Sequence, residues 1–298
     1  QSINDDDKNT SDVELKNFQE AWHHPDPKKK ELWRVVIRKE FKDMIKRGVW
    51  RKTKRSPMPS NRRCVKSKWV FKIKRNGVYR ARLVACGYSQ IPGVDFSENY
   101  SPVVHDITFR LLILLQMIFN FTTKIVDVET AFLYGELEEE IYMDPPPGLK
   151  NVQDDDVLLL TRCIYGLVQS ARQYHKKAVE ILKKIGFVGG DIDPCLYYRK
   201  SKKGTVFIAI YVDDNLLVGD ADAIQETIKD LKGEGLVLKI EDDLKDYLSC
   251  EVRFLEDKKR AWLGQPHLIK NLKAKFGDRV KDLRSSKTSG TPGFRILC

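Results

Sequence analysis

Hydrophobic positions recur along this chain at two spacings, and the spacings set out its elements. From Lys30 to Arg47, Leu32, Val35, Val36, Phe41, Met44 and Ile45 fall close to helical spacing, which predicts a helix with Gly48 as its stop. Residues 54–62 are a Pro/Ser/Arg loop. Lys68-Trp-Val-Phe-Lys-Ile-Lys74 switches to a period of two, Arg75-Asn-Gly77 supplies hairpin-turn chemistry, and Val78 to Ala85 returns. Lys72 and Lys74 share a face of that hairpin, as do Arg80 and Arg82. Gly87 to Pro102 reads as a loop. Asp106 is placed to cap a helix from Ile107 to about Asn120, which is apolar nearly all round and so expected to be buried. Ile125 and Val126 read as a strand end with Asp127 where it stops, and Ala131 and Phe132 begin a turn or short helix. Glu136 to Glu140 reads as a solvated acidic run, followed by short strands at Ile141–Met143 and Val157–Leu160.

The second half continues the alternation. A helix from Ser170 to Ile185 stops at Gly186, and Cys195 to Lys200 is a strand. Phe207 to Gly219 is an apolar strand, a tight turn carrying Asp213 and Asp214, and a second apolar strand. A helix over Ala221–Lys232, strands at Leu236–Ile240, Tyr247–Phe254 and Arg260–Leu263, and a Pro266-started helix to Phe276 complete the order. The expected class is α+β, with a four-stranded antiparallel sheet backed by helices. The expected division is a loose arm over 1–27, a basic region over 28–104, a body over 105–255 and a core-poor tail over 256–298.

The 298 residues, 42% of them hydrophobic and 32% charged, suit a globular chain with a sizeable core. The apolar runs, such as Leu111 to Leu115, are far too short to span a bilayer. The chain begins at Gln1 rather than Met and reads as a piece of something longer. Its cysteines, at 64, 86, 163, 195, 250 and 298, include no C-x-x-C and no cluster with the histidines, which argues against zinc and a disulfide framework and for reduced, intracellular thiols. Net charge is +11, yet Lys28 to Arg75 alone carries 20 Lys/Arg against 3 acids, so the remainder is net acidic. Trp33, Trp50, Trp69 and Phe71 interleave with these cations, a mix suited to a polyphosphate backbone with stacking platforms; a merely solvated basic face is the plainer reading.

Asp-Asp in a turn is most often only a turn. Fixed at the tip of an apolar hairpin, however, two carboxylates repel, and a hard divalent cation with oxygen ligands is their natural partner. Asp127 is a further acid at a strand end, 86 residues away, so only tertiary structure can bring it to the hairpin. If the three meet, they suit two Mg²⁺ ions and in-line phosphoryl transfer. Glu129, two residues on, shares Asp127's side only if the strand continues.

At these residues the chain resembles the reverse transcriptase of copia-type LTR retrotransposons. The blocks run in the family's order: Lys68-Trp-Val-Phe-Lys, Arg80-Ala-Arg-Leu-Val-Ala85, Asp127-Val-Glu-Thr-Ala-Phe-Leu-Tyr-Gly135, Glu138-Glu-Glu-Ile-Tyr-Met143, Ile164-Tyr-Gly-Leu-Val-Gln169 and Tyr211-Val-Asp-Asp214. Weaker likeness continues through Asp246 to Val252 and His267 to Gly277. The resemblance implies a right-hand polymerase fold, with 28–104 as fingers, 105–255 as palm (finger helices inserted), and the start of a thumb after 256. It implies RNA- and DNA-templated DNA synthesis from dNTPs on a DNA primer, through an RNA–DNA hybrid, with two Mg²⁺ for which Mn²⁺ can substitute. Asp127, Asp213 and Asp214 match the metal-binding carboxylates, and Val128 would lend its backbone carbonyl. Lys74 matches the triphosphate-binding lysine, with Arg80 or Arg82 as its companion. Phe132 matches the ring that excludes a ribose 2′-hydroxyl, although core packing is the commoner fate of Phe. Gln169, with Tyr165 and Gly166, matches the motif beneath the incoming nucleotide and template. Tyr211 falls near the primer end, or is a cross-strand packing partner.

Val168, Ala171, Cys86 and Ser249 depart from the family's usual Lys, Pro, Lys and Gly without removing a metal ligand. The resemblance also implies integrase and ribonuclease H elsewhere in a polyprotein, no membrane partner, and a cytoplasmic location in a virus-like particle with a nuclear phase allowed. A decayed or domesticated nucleic-acid-binding copy remains an alternative. So does a metal-dependent nuclease, against which the lack of a histidine beside these motifs counts.

Overall fold

Asp26 starts the first long helix: its carboxylate accepts from the Lys28 and Lys29 amides at 2.7 and 3.1 Å, and Pro27 supplies a ring at a position that needs no donor. This structure, a computed structural model, describes residues 15–74, 77–241, 247, 250–255 and 260–280. Outside the described residues lie 1–14 of the expected arm, the turn residues Arg75 and Asn76, Ser249, and 256–259 and 281–298 of the expected tail.

The helices are α1 (Phe18–Trp22), α2 (Pro27–Lys46), α3 (Asp106–Phe119), α4 (Ser170–Lys184), α5 (Ala221–Gly233) and α6 (Pro266–Val280). The strands are β1 (Trp50–Lys54), β2 (Cys64–Val65), β3 (Ser67–Ile73), β4 (Tyr79–Ala85), β5 (Thr122–Val128), β6 (Glu136–Met143) and β7 (Asp156–Arg162). Then come β8 (Val188–Gly189), β9 (Leu196–Ser201), β10 (Gly204–Tyr211), β11 (Asp214–Gly219), β12 (Leu238–Glu241), β13 (Glu251–Phe254) and β14 (Ala261–Gly264).

The antiparallel sheet is wider than expected, six strands in the order β12-β5-β11-β10-β9-β8 rather than four. Its added edge strands are short, Val188–Gly189 and Leu238–Glu241; the second overlaps the expected strand Leu236–Ile240, but local alternation does not say which strand it lies beside. Val126, Leu216, Leu217, Val218, Val206 and Ile208 fill its centre, and Phe109, Leu112, Tyr174, Ile181, Ile224 and Ile228 of α3, α4 and α5 pack against them. A second core joins α2 and the β3–β4 hairpin to a four-stranded sheet, β1-β7-β6-β2.

Several expectations need correction. The described part of the expected loose arm forms α1, because Phe18 and Ala21 are buried against Trp69 and the second core. The interleaved aromatics are not stacking platforms: Trp33 on α2 is buried, Trp50 is half-buried, and Trp69 and Phe71 are buried because alternation along β3 turns rings inward and lysines outward. Asp106 is the first residue of α3 rather than its cap; His105 holds the cap position and Asp106 pairs with Arg110 at 2.9 Å. Nor is α3 buried all round. Ile107, Leu111, Leu114 and Ile118 form an exposed stripe opposite Thr108, Phe109, Leu112 and Ile113. The acidic run Glu136–Glu140 is the first half of β6, with Leu137 and Glu139 on its more buried side.

Candidate active site

Three backbone features fix the acids. β10 and β11 pair with Tyr211 opposite Asp214, leaving Val212 and Asp213 as the hairpin tip, where Val212 holds a φ of +51°. A branched side chain in that region is strained, and the pairing on both sides holds it there. β11 then pairs with β5 so that Asp214 faces Asp127, and the Val128 amide donates to the Asp213 carbonyl at 2.9 Å. The Asn215 amide side chain, buried beside them, donates to the Val126 carbonyl at 3.2 Å.

Residues directly opposite in a ladder share a face. Because β12 sets Lys239 opposite Asp127, one row runs Tyr211, Asp214, Asp127, Lys239 across four strands. The carboxylates therefore crowd. Burial, then Asp213 and Asp127, push Asp214 up to about 6. Burial and then Asp213 raise Asp127, while Lys239 and Arg80 act against that shift.

Facing the acids across a cleft of about 340 Å³ is the β3–β4 hairpin: Lys74, Arg80 and Arg82 line it with Asp127, Asp213 and Lys239. Burial and then Arg80 lower Lys74, and burial and then Arg82 lower Arg80. Cations that depress one another in this way gain from an anion placed among them. Arg82 lies over the Tyr165 ring at 4.1 Å and donates to its hydroxyl at 3.3 Å, whereas Arg80 is the arginine whose charge is coupled to both Asp127 and Asp213. The Tyr165 ring is also edge-on to Phe132 at 4.8 Å. Gly166, at φ +90°, is pressed against β4.

Of the expected nucleotide contacts, Gln169 and Phe132 do not line the cleft, and Gln169 lies farther into the protein's own packing. Gln169 is fully buried, accepting from the Gln90 amide at 3.1 Å and donating to the Asp95 carbonyl at 2.9 Å and to Glu139 at 3.3 Å. Those bonds occupy its amide with chain-to-chain links. Phe132 and Tyr211 are partly buried against the main core, and Phe132 reaches the site only through Tyr165. Sequence reasoning missed Lys239, a lone cation in a short apolar strand, and Glu40, an acid within a basic helix; both line the cleft, and neither has a local signal of that placement.

The donor set is oxygen-only, three carboxylates and nearby backbone carbonyls, which fits a hard divalent ion such as Mg²⁺. Asp127 and Asp214 are paired in register and Asp213 stands at the hairpin tip, and among the described residues no three His, Cys, Asp or Glu form a ready cage.

Opposed carboxylates beneath a cationic hairpin are an arrangement chemically suited to a phosphate group and a divalent ion. The chain belongs to the reverse transcriptase (RNA-dependent DNA polymerase) family, whose model matches residues 49–276. It is similar to the retrovirus-related Pol polyprotein from transposon TNT 1-94 of Nicotiana tabacum, 30% identical over 95% of this chain and 21% of that protein. It is likewise 31% identical to the Pol polyprotein from transposon RE1 of Arabidopsis thaliana over 76% of this chain and 16% of that one. A Ty1-DR5 Gag-Pol polyprotein of Saccharomyces cerevisiae is 28% identical over 70% of this chain and 12% of that protein. These relatives make it a reverse transcriptase domain of the copia type, and it spans about a fifth or less of the length of each. Among solved structures, a foamy viral protease-reverse transcriptase in complex with double-stranded DNA aligns at a TM-score of 0.42 and 14% identity, over 86% of this chain and 38% of that one; a likeness at that score says nothing about chemistry.

Proposed function

We propose that this chain is an RNA-directed DNA polymerase that joins a dNTP to a primer 3′-hydroxyl on an RNA or DNA template. The observation that carries the reading is the pairing of Asp127 opposite Asp214, with Asp213 tied to Val128, so that Asp127 and Asp213 line one cleft with Lys74 and Arg80. Asp127, Asp213 and Asp214, with the Val128 carbonyl, are the residues that would hold two Mg²⁺ or Mn²⁺ ions. Bound there, such ions supply activation of a hydroxyl and neutralisation of phosphate charge.

The chain's own residues do the remaining work in this reading. Lys74, Arg80 and Arg82 take the triphosphate, and the hairpin they sit on fixes its direction of approach. Phe132, backed by Tyr165, limits the room beneath the sugar. Tyr211, in the same cross-strand row as the acids, lies toward the primer end. Template and primer are the partners, and integrase and ribonuclease H belong to the remainder of a polyprotein.

The test is extension of oligo(dT) on poly(rA) with Mg²⁺ and dTTP, run beside Asp213→Asn. Extension that is lost in the variant supports the reading. Equal inactivity of both proteins, with both still binding the hybrid, rejects it in favour of a nucleic-acid-binding remnant; shortening of the primer without dNTPs points to a nuclease.

A further inference from the structure

Among the described residues β4 has a strand partner on one side only, because β3 and β4 form a two-stranded sheet. The other edge presents backbone donors that must find acceptors elsewhere. Two are accounted for. The Ala85 amide donates to the Tyr165 carbonyl at 2.7 Å, and the Leu83 amide donates to Oε1 of Glu40 at 3.2 Å. Glu40 lies on α2, which packs against β4, and is 9% exposed. An acid buried in the most basic part of the chain, and spent on a strand edge, is costly unless it does something there.

What it fastens is the segment that carries the cations. Leu83 directly follows Arg82 and lies three residues after Arg80, and Glu40 lines the same cleft as both. We propose that Glu40 is a positioning residue for the triphosphate: by holding the Leu83 amide it fixes the free edge of β4, and so sets where Arg80 and Arg82 stand relative to Asp127 and Asp213. The inference rests on the polymerase reading above, but the fastening can be measured without it.

The groups facing Glu40 are Asp43 on its own helix, Arg80 and Arg82 on β4, and Tyr165 from the segment beside it. Burial pushes Glu40 up to about 7, while the Leu83 amide, Arg82 and Arg80 favour its charged form. The carboxylate is the stronger acceptor, so the fastening tightens as pH rises through that value.

The experiment compares Glu40→Ala and Glu40→Gln with the unaltered chain by two measurements: hydrogen exchange at the Leu83 amide, and steady-state extension with dTTP varied between pH 6 and 8.5. Glu40→Ala should raise the KM for dTTP about tenfold, the equivalent of one lost hydrogen bond, with a much smaller fall in kcat, and should speed Leu83 exchange. Glu40→Gln, whose amide oxygen still accepts from Leu83, should recover most of that loss and should not show the decrease in KM across pH 7 expected of the unaltered chain. Unchanged Leu83 exchange in Glu40→Ala overturns the fastening. Faster exchange with KM unmoved, or a loss in kcat that Gln does not rescue, overturns the positioning role. If the unaltered chain does not extend the primer, the polymerase reading fails, and Leu83 exchange still decides the contact.

Discussion

Gly166→Ala isolates the closeness of two backbones that the cleft depends on. Gly166 sits at φ +90°, and a Cβ there would stand 2.2 Å from the Ala85 carbonyl oxygen and 2.5 Å from Cγ1 of Val84. The valine can rotate; the Ala85 carbonyl cannot, because β4 is paired to β3 and the Ala85 amide is bonded to Tyr165. The positive φ alone costs about 1 kcal/mol. Parting the backbones adds the loss of the Ala85–Tyr165 hydrogen bond and a repacking cost, which brings the total to about 3–5 kcal/mol. Two other glycines separate these effects. Gly48 has φ +59° with open space around it, so Gly48→Ala should cost about 1 kcal/mol. Gly233, at the end of α5, has open space and no positive φ, so Gly233→Ala should be neutral or stabilise by up to about 1 kcal/mol. Urea unfolding of the three variants, compared through midpoint and slope, reads the order directly. A Gly166→Ala cost no greater than that of Gly48→Ala would refute the steric argument.

Asp214→Asn should trade activity for stability. Because Asp214 is held up to about 6 against 3.8 for a free carboxyl, its ionisation costs the fold progressively more as pH rises from 3.8 through about 6. Asparagine removes that cost, and after allowance for solvent screening the variant should be about 1 kcal/mol more stable at pH 7.5 and no different at pH 3.5, by thermal unfolding, while primer extension disappears. A variant equally stable at both pH values counts against the crowding of the acids. Phe132→Val removes the ring that meets Tyr165 and should reduce discrimination between dTTP and UTP about tenfold; an unchanged ratio of kcat/KM for the two would assign Phe132 to packing alone. Leu217→Ala, at a fully buried position in β11 between β10 and β5, should cost about 2–5 kcal/mol in urea unfolding, and a cost under 1 kcal/mol would contradict its place in the core.

Much of this protein is determined by local sequence. The period of two and a turn wrote the β3–β4 and β10–β11 hairpins, helical spacing wrote α2, α4 and α5, and the ordered blocks around Asp127 and Asp213 carried the family. These depend on a few neighbouring residues, because alternation and turn chemistry act over short distances. The chain could not announce which strand lies beside which. The opposition of Asp214 to Asp127, the arrival of Lys239 from an exposed edge strand and the use of Glu40 on a strand edge join residues far apart in sequence. The same holds for Gln169, which a motif assigned to the nucleotide and packing assigned to Gln90 and Asp95. It holds too for α3, whose apolar residues outnumber those the sheet can cover. Composition records how much apolar and charged surface a segment has; only tertiary packing decides which of it finds a partner.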